Sequence, residues 1–388
     1  MERSTGILFV TNTLHPGGTE QVLLNLVQGL VQTGRFRPIV ACLKAPGPWA
    51  ENFQRLGAPV HANLLSDRYD VRVVPRLVRL MKRNNVRIVV SVGSGGDRMF
   101  WSALAAKIAG AKTVVWSHTF SQPEHPEFEL ANRVIYPLVD RFVALGSRHQ
   151  ACLAWRDKIP YGKITIIPNG IEVGPDGYPQ WRDRARAVLG LADENIVAVA
   201  MIANLRPSKR HDLFIEAARL VVRQFRDIHF FIIGDGPLRT SVRDWAQRSE
   251  LLGSYLSLLG HREDVPQLLP GLDLVCLCSE YQECQSMVAL QAMAAGIPVI
   301  SNHIGSMDEA ITDNRTGFFY HPLSPAALAE KILHVAPNAP LRQQIADASR
   351  RQVGQKFTQD RLVRDFTHLF ENLLADPTRF NGRLAELF

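Results

Sequence analysis

The chain has 388 residues, 46% apolar and 21% charged, with a net charge of +7. This composition excludes intrinsic disorder, collagen-like repeats and a disulfide scaffold, and the length suits two domains of about 150–200 residues each. No apolar run approaches the roughly 18 residues that a membrane span requires, and Met1 to Thr11 reads as a first β-strand, not as a signal peptide.

In chain order, the pattern predicts strand Ile7–Thr11, helix Glu20–Leu30, strand Pro38–Leu43, a helix around Pro75–Arg83, strand Val86–Val92, helix Arg98–Ile108 and strand Thr113–Ser117. Phe142–Leu145 and Ile164–Ile167 close this first series of short apolar runs, which read as parallel strands buried on both faces. Gly174, Pro175, Gly177 and Pro179 mark a linker over 173–180. A second series follows: strand Ile196–Ala203, helix Asp212–Gln224, strand His229–Ile233, helix Leu238–Arg248, strand Leu272–Cys278, helix Met287–Ala295 and strand Pro298–Ser301. The chain closes in helices, notably Arg361–Leu374. The expectation is an α/β protein with two doubly wound domains, 1–172 and 181–388, whose terminal helices are able to cross back to the first domain. Ligands of such sheets bind at the carboxyl ends of the strands, which directs attention to a cleft between two facing domains.

The excess charge lies in the first half. Residues 1–172 hold 21 Lys and Arg against 12 Asp and Glu, while the remainder holds 23 against 25. Arg72, Arg76, Arg79 and Arg83 form a basic stripe opposite the apolar Val74, Leu77, Val78 and Met81. It reads either as a solvated helix face or as a docking face for an anionic membrane leaflet. Nucleic acid is disfavoured, because no aromatic residues interleave the arginines. The cysteines, Cys42, Cys152, Cys276, Cys278 and Cys284, are odd in number and fit no zinc spacing, so reduced core thiols of a cytoplasmic protein are expected.

Several loops carry chemistry. Gly17 and Gly18 sit at a strand-to-helix junction, either as a plain tight turn or as a phosphate-binding helix start. Arg206 and Lys209 follow a strand, where they are suited to phosphate or form exposed surface charge. Gly234-Asp235-Gly236-Pro237 is not a dinucleotide fingerprint, since Arg239 stands where a third glycine is due. Ser279 to Ser286 pack polar groups into one loop, and Gln291 interrupts an apolar helix, so it needs a partner or a ligand. His118 follows the strand Thr113–Ser117 and would face the cleft, either as a structural histidine or, with Glu283, as a catalytic candidate.

With these residues in this order, the chain resembles the retaining, nucleotide-sugar-dependent glycosyltransferases of family four (glycosyl transferases group 1), which have the GT-B fold of two Rossmann-like domains. The likeness runs from Ile7 to about Phe357 and is strongest from Asn204 to Phe319, through Ala292-Met293-Ala294-Ala295-Gly296-Ile297-Pro298-Val299 and Thr316-Gly317. The resemblance implies that Lys209 and a nearby arginine, here Arg206, bind the donor diphosphate. It further implies that Glu283 contacts the transferred sugar, that His118 lies near that sugar, and that Gly17 and Gly18 meet the phosphate or the acceptor. Gln291 stands where a second glutamate usually binds ribose. Cys284, Gln285 and Ser286 complete the donor loop, with Cys284 in place of the usual glycine. The usual arginine five residues before the lysine is Asn204.

The implied activity is metal-independent, front-face, retaining transfer, with no cofactor beyond the nucleotide sugar as co-substrate. No Asp-x-Asp metal signature is apparent. A UDP-sugar is favoured as donor and a GDP-sugar is possible. The expected acceptor is a glycan or polyprenyl-linked molecule of cell-surface polysaccharide or glycoconjugate synthesis, met in the cytoplasm or on the inner membrane face. The rival readings are a GT-B-like nucleotide-sugar epimerase, or a non-catalytic nucleotide-sugar-binding or scaffold subunit.

Overall fold

The computed structural model describes residues 4–93, 96–120, 134–174, 181–281 and 283–376. The chain divides into two units, residues 1–170 with 359–388, and residues 171–358.

The first unit contains β1 (Thr5–Thr11), α1 (Gly18–Thr33), β2 (Phe36–Cys42), α2 (Ala50–Arg55), β3 (Val60–His61), α3 (Val73–Arg83), β4 (Val86–Val92), α4 (Gly96–Ala109), β5 (Lys112–Trp116), β6 (Arg141–Ala144), α5 (Ser147–Trp155) and β7 (Ile164–Ile166). All seven strands are parallel, in the order β3-β2-β1-β4-β5-β6-β7. Ile7, Leu8, Phe9 and Val10 of β1 are fully buried, which explains the continuous apolar run: helices cover both faces of the sheet. α3 starts two residues ahead of Pro75, which therefore sits in the first turn, where no backbone donor is needed. Its buried face is Val73, Leu77, Leu80 and Met81, with Val74 and Val78 at the margin.

The second unit contains α6 (Arg182–Val188), β8 (Val197–Ile202), α7 (His211–Val222), β9 (Ile228–Ile233), α8 (Arg239–Arg248), β10 (Leu256–Gly260), α9 (Val265–Leu268), β11 (Leu274–Leu277), α10 (Met287–Ala294), β12 (Val299–Asn302), α11 (Met307–Ala310), β13 (Phe318–Tyr320), α12 (Pro325–Val335) and α13 (Ala339–Lys356). Its six parallel strands run in the order β10-β9-β8-β11-β12-β13.

The second unit ends at Thr358, and the chain then returns to the first. The last helix, α14 (Gln359–Ala375), belongs to the first unit. There Val363 fills the space a side chain at Gly29 would need, Phe366 packs on Trp116 at 4.7 Å and Phe370 on Phe36 at 5.5 Å. Arg361 donates to the Pro168 carbonyl at 2.9 Å and the Asn169 carbonyl at 2.6 Å. The apolar face of this helix, Leu362, Phe366, Leu369, Phe370 and Leu373, is buried. Of the expected linker, residues 175–180 lie outside the described residues.

The glycines of Gly234-Asp235-Gly236 have a packing role. Gly234 has φ +148°, and a Cβ there would come within 2.0 Å of the Ala203 carbonyl oxygen. A Cβ at Gly236 would come within 2.7 Å of the Leu205 carbonyl oxygen. The turn after β9 thus lies directly against the segment leaving β8. Gly234→Ala should lower unfolding stability by at least about 2 kcal/mol in urea titration, from the steric overlap and the disfavoured backbone region. An unchanged midpoint and slope would contradict this close approach.

Candidate functional site

The second sheet reverses its winding between β8 and β11, the place where open α/β sheets bind ligands. The loops leaving these strands, 203–210 and 278–286, carry most of the polar residues singled out in the sequence. They are tied together by charge. Lys209 forms an ion pair with Glu283, their side chains 26% and 13% exposed. The Lys209 Nζ also donates to Ser279 Oγ at 3.3 Å, and that hydroxyl donates to Glu283 at 3.1 Å. One residue on, Arg210 reaches Glu280 at 3.3 Å. The Glu280 amide donates to the Ser208 carbonyl at 2.8 Å. Two consecutive cations of one loop therefore hold two acids of the other. Arg210 adopts a left-handed backbone, φ +55°, and its guanidinium grips Asp212 through Nε at 3.0 Å and Nη2 at 2.9 Å.

The back of the Glu283 loop is fixed as well. Gly305 has φ +58°, and a side chain there would strike the Glu283 and Cys284 carbonyl oxygens at 2.3 and 2.5 Å. The Ser306 amide donates to the Cys284 carbonyl at 2.7 Å, and the Asn302 amide side chain donates to the Ser279 carbonyl at 2.8 Å. Cys284 is buried without a positive φ, so its backbone tolerates a side chain where the family has glycine. Gln285 and Ser286 are buried too. The Ser286 hydroxyl caps α10, accepting from the Ala289 amide at 3.3 Å, so its first task is structural. In contrast, Arg206 is exposed and Gln291 on α10 is half-buried, and neither side chain has a hydrogen bond or ion pair among the described residues. Arg206, Lys209, Arg210, Glu280 and Glu283 thus all keep some exposure on this loop pair, while Gln291 is half-buried on the helix that follows it.

The first sheet reverses between β1 and β4. Gly17 is the extended N-cap of α1, φ −174°, and a Glu20 carboxylate oxygen lies 2.8 Å from where a Cβ of Gly17 would sit. The helix start is thus already near a carboxylate. His118 follows β5 and stacks against Trp116 at 4.5 Å. Burial, and then the charges of His149 and Arg98, push its pKa down to about 3, so it is neutral at physiological pH. His149, at the start of α5, is buried and bonded to the residue before His118. Its Nδ1 accepts from the Leu145 amide at 3.1 Å, which leaves Nε2 to carry the proton and donate to Ser117 Oγ at 3.1 Å.

The basic stripe of α3 is not a row of four free arginines. Asp70, buried in the preceding loop, takes Arg72 at 2.6 Å and Arg76 at 2.9 Å, and Arg76 also donates to the Leu64 carbonyl at 2.8 Å. The Arg72 guanidinium holds the Asp70 carboxyl well below the usual carboxylate range. Only Arg79 and Arg83 of the four remain exposed and without an ion pair among the described residues. No helix among the described residues is long and apolar enough to cross a membrane.

Residues 16–174 match the family described as Glycosyltransferase Family 4, and residues 182–352 match the one described as Glycosyl transferases group 1. The chain belongs to the group 1 glycosyltransferases. Its fold is GT-B, with two Rossmann-like domains. This group 1 chain is 28% identical over 265 residues to the Escherichia coli UDP-Gal:alpha-D-GlcNAc-diphosphoundecaprenol alpha-1,3-galactosyltransferase, covering 64% of this chain and 66% of that protein. It is 26% identical over 183 residues to the Bacillus anthracis N-acetyl-alpha-D-glucosaminyl L-malate synthase, covering 47% of each. The chain spans about half to two thirds of the length of the curated relatives it matches. Among solved structures, Anabaena HepE in complex with UDP and glucose superposes with a TM-score of 0.81 at 21% identity, covering 94% of this chain and 99% of that one.

Sequence reading missed Arg210, Glu280 and Gly305 beside the Lys209–Glu283 pair, and His149 and Arg98 in the first unit. A charge two residues before Asp212 was the one visible hint of Arg210.

His211, next to Lys209, is 1% exposed and neither ring nitrogen has a hydrogen bond among the described residues. Burial is the main cause that pushes its pKa from 6.5 down to about 4. The unfolded chain therefore binds the extra proton first, and this contribution to stability is lost as pH falls from about 6.5 towards 4. His211→Leu should flatten the fall in melting temperature between pH 7 and pH 4.5 and raise melting at pH 5. A variant that keeps the parent pH slope would show that His211 does not titrate in this window.

Proposed function

We propose that the protein is a retaining, metal-independent glycosyltransferase that moves a sugar from a nucleoside-diphosphate donor. A UDP-sugar is the first choice and a GDP-sugar the second. The acceptor is a glycan or polyprenyl-linked molecule in cell-surface polysaccharide or glycoconjugate synthesis. The observation that carries this reading is the Lys209–Glu283–Ser279 network at the switch point of the second sheet, with Arg206 exposed on the Lys209 loop and Gln291 half-buried on the helix after the Glu283 loop. Glycosyl transfer builds negative charge on the departing diphosphate and positive charge at the sugar carbon. Lys209 and Arg206 meet the first, and the Glu283 carboxylate meets the sugar hydroxyls and the second. Gln291 offers the ribose both a donor and an acceptor. Glu283 is assigned here to the sugar hydroxyls and not to nucleophilic attack, so the step is front-face transfer with the leaving phosphate taking the acceptor's proton. Neutral His118 serves the first unit as a hydrogen-bonding group, not as a charged acid.

The relatives named above act on a diphosphoundecaprenol-linked sugar and, by name, on L-malate, which supports an anionic acceptor for this chain. Arg79 and Arg83, with exposed Tyr69 and Val71 in the loop before α3, suit contact with an anionic membrane on which a lipid-linked acceptor resides.

Lys209→Ala should lower the rate of sugar transfer by roughly 10- to 150-fold, the equivalent of about 1.5–3 kcal/mol for one lost charge-assisted contact. The assay is transfer from UDP-sugars to a lipid-linked glycan acceptor, well below the melting temperature, with donor-only controls that separate transfer from epimerisation. An unchanged rate would assign Lys209 to structure alone.

A further inference from the structure

The first unit holds a second group of polar side chains that the donor chemistry leaves unused. β4 and β5 are neighbours, and the Gly93 amide at the end of β4 donates to the Trp116 carbonyl at the end of β5 at 2.7 Å. Gly93 has φ +101° and no side chain, and the guanidinium of Arg98, from the first turn of α4, occupies that space: its Nη2 is 2.4 Å from where a Cβ would stand. Arg98 makes no hydrogen bond or ion pair among the described residues, and its Nε is buried. Glu20 lies within electrostatic reach of Arg98 but forms no ion pair with it. The His118 ring lies within electrostatic reach of Arg98, and its Nε2 and the Trp116 Nε1 are also buried without partners among the described residues, as is the Thr13 hydroxyl just past the end of β1, the strand next to β4. A buried guanidinium without a carboxylate is costly to the fold, and such groups are ordinarily paired.

We propose that Arg98, with the Thr13 hydroxyl and the His118 Nε2, forms an anion subsite at the switch point of the first sheet that receives a phosphate or carboxylate group of the acceptor. The inference rests on the transferase reading above. Three observations carry it: the sheet reverses its winding between β1 and β4, the residues follow the ends of the adjacent strands β1, β4 and β5, and three kinds of buried polar group there lack a partner among the described residues. Arginine supplies a planar fork that matches both phosphate and carboxylate. The Arg98 charge also helps to keep His118 neutral, so that ring adds hydrogen bonding without a second charge. The donor's diphosphate is the other possible source of the anion, and the second unit already has Lys209 for it.

The test is thermal protection by inorganic phosphate, glucose 1-phosphate, methyl α-glucoside and UDP on the full chain, with Arg98→Met, Arg98→Lys and Lys209→Ala. Inorganic phosphate and glucose 1-phosphate should protect the unsubstituted chain and Lys209→Ala. Added to Lys209→Ala, Arg98→Met should raise their dissociation constants at least tenfold, and Arg98→Lys in the same background should recover part of the loss. Methyl α-glucoside, which lacks the anion, should not protect. UDP should protect Arg98→Met as well as the parent, and Arg98→Met without ligand should melt no lower than the parent. Phosphate protection that survives when Arg98→Met is added to Lys209→Ala, or a lowered melting temperature of Arg98→Met without ligand, would overturn the subsite. Loss of UDP protection in Arg98→Met would overturn its assignment to the acceptor by giving Arg98 to the donor. Failure of UDP to protect even the unsubstituted chain would instead count against the donor reading, while the phosphate arm in Lys209→Ala still decides Arg98.

Discussion

The candidate donor site depends on one ion pair between two loops. Lys209 and Glu283 lie 74 positions apart in sequence, and the adjacency of β8 and β11 brings them together. Each charge is only partly exposed, so each needs the other. The network through Ser279 and the second pair, Arg210–Glu280, turn a single contact into a two-point attachment. A nucleotide that reaches Lys209 therefore meets a cation already positioned, and also a carboxylate already bound to it. That competition is a constraint of the site: a diphosphate must share Lys209 with Glu283 or displace it.

The surrounding backbone makes this attachment possible. Gly234 and Gly236 let the turn after β9 lie against the segment that leads to Arg206, and Gly305 lets its own turn lie against the Glu283 and Cys284 carbonyls. None of these glycines needs to touch a ligand. They hold the two loops from outside at van der Waals distance, where a Cβ has no room. Arg210 shows the opposite solution: a non-glycine residue keeps a left-handed backbone, and its ion pairs with Asp212 and Glu280 offset the strain.

The two parallel sheets were legible because strands buried on both faces read as unbroken apolar runs, as at Ile7–Val10 and Phe230–Ile233. Short strands were not: Val60–His61 and Phe318–Tyr320 are too brief to show a period. Lys209, Glu283 and Gln291 stood out through loop position and family resemblance. Arg98 did not, because a basic residue in the first turn of a helix looks like ordinary surface, while here its guanidinium lies in the space left by the missing side chain of Gly93. The α3 stripe misled for a related reason. Helical spacing put four arginines on one face, but Asp70, outside the helix, draws two of them away. The terminal helix showed its apolar face, while its choice of unit depended on the fit of Val363 to Gly29, which no local pattern carries.

The central claim is that Lys209 is a diphosphate-binding cation restrained by Glu283. The most direct measurement is calorimetric titration of UDP into the parent chain, Glu283→Gln, Lys209→Ala and the double variant. Opposite charges in contact at a partly exposed site attract by about 4 kcal/mol before desolvation, so releasing even part of that restraint is measurable. Glu283→Gln should bind UDP several-fold more tightly than the parent, and that gain should vanish when Lys209 is also replaced. Equal or weaker UDP binding by Glu283→Gln, or a gain that persists without Lys209, would contradict the account.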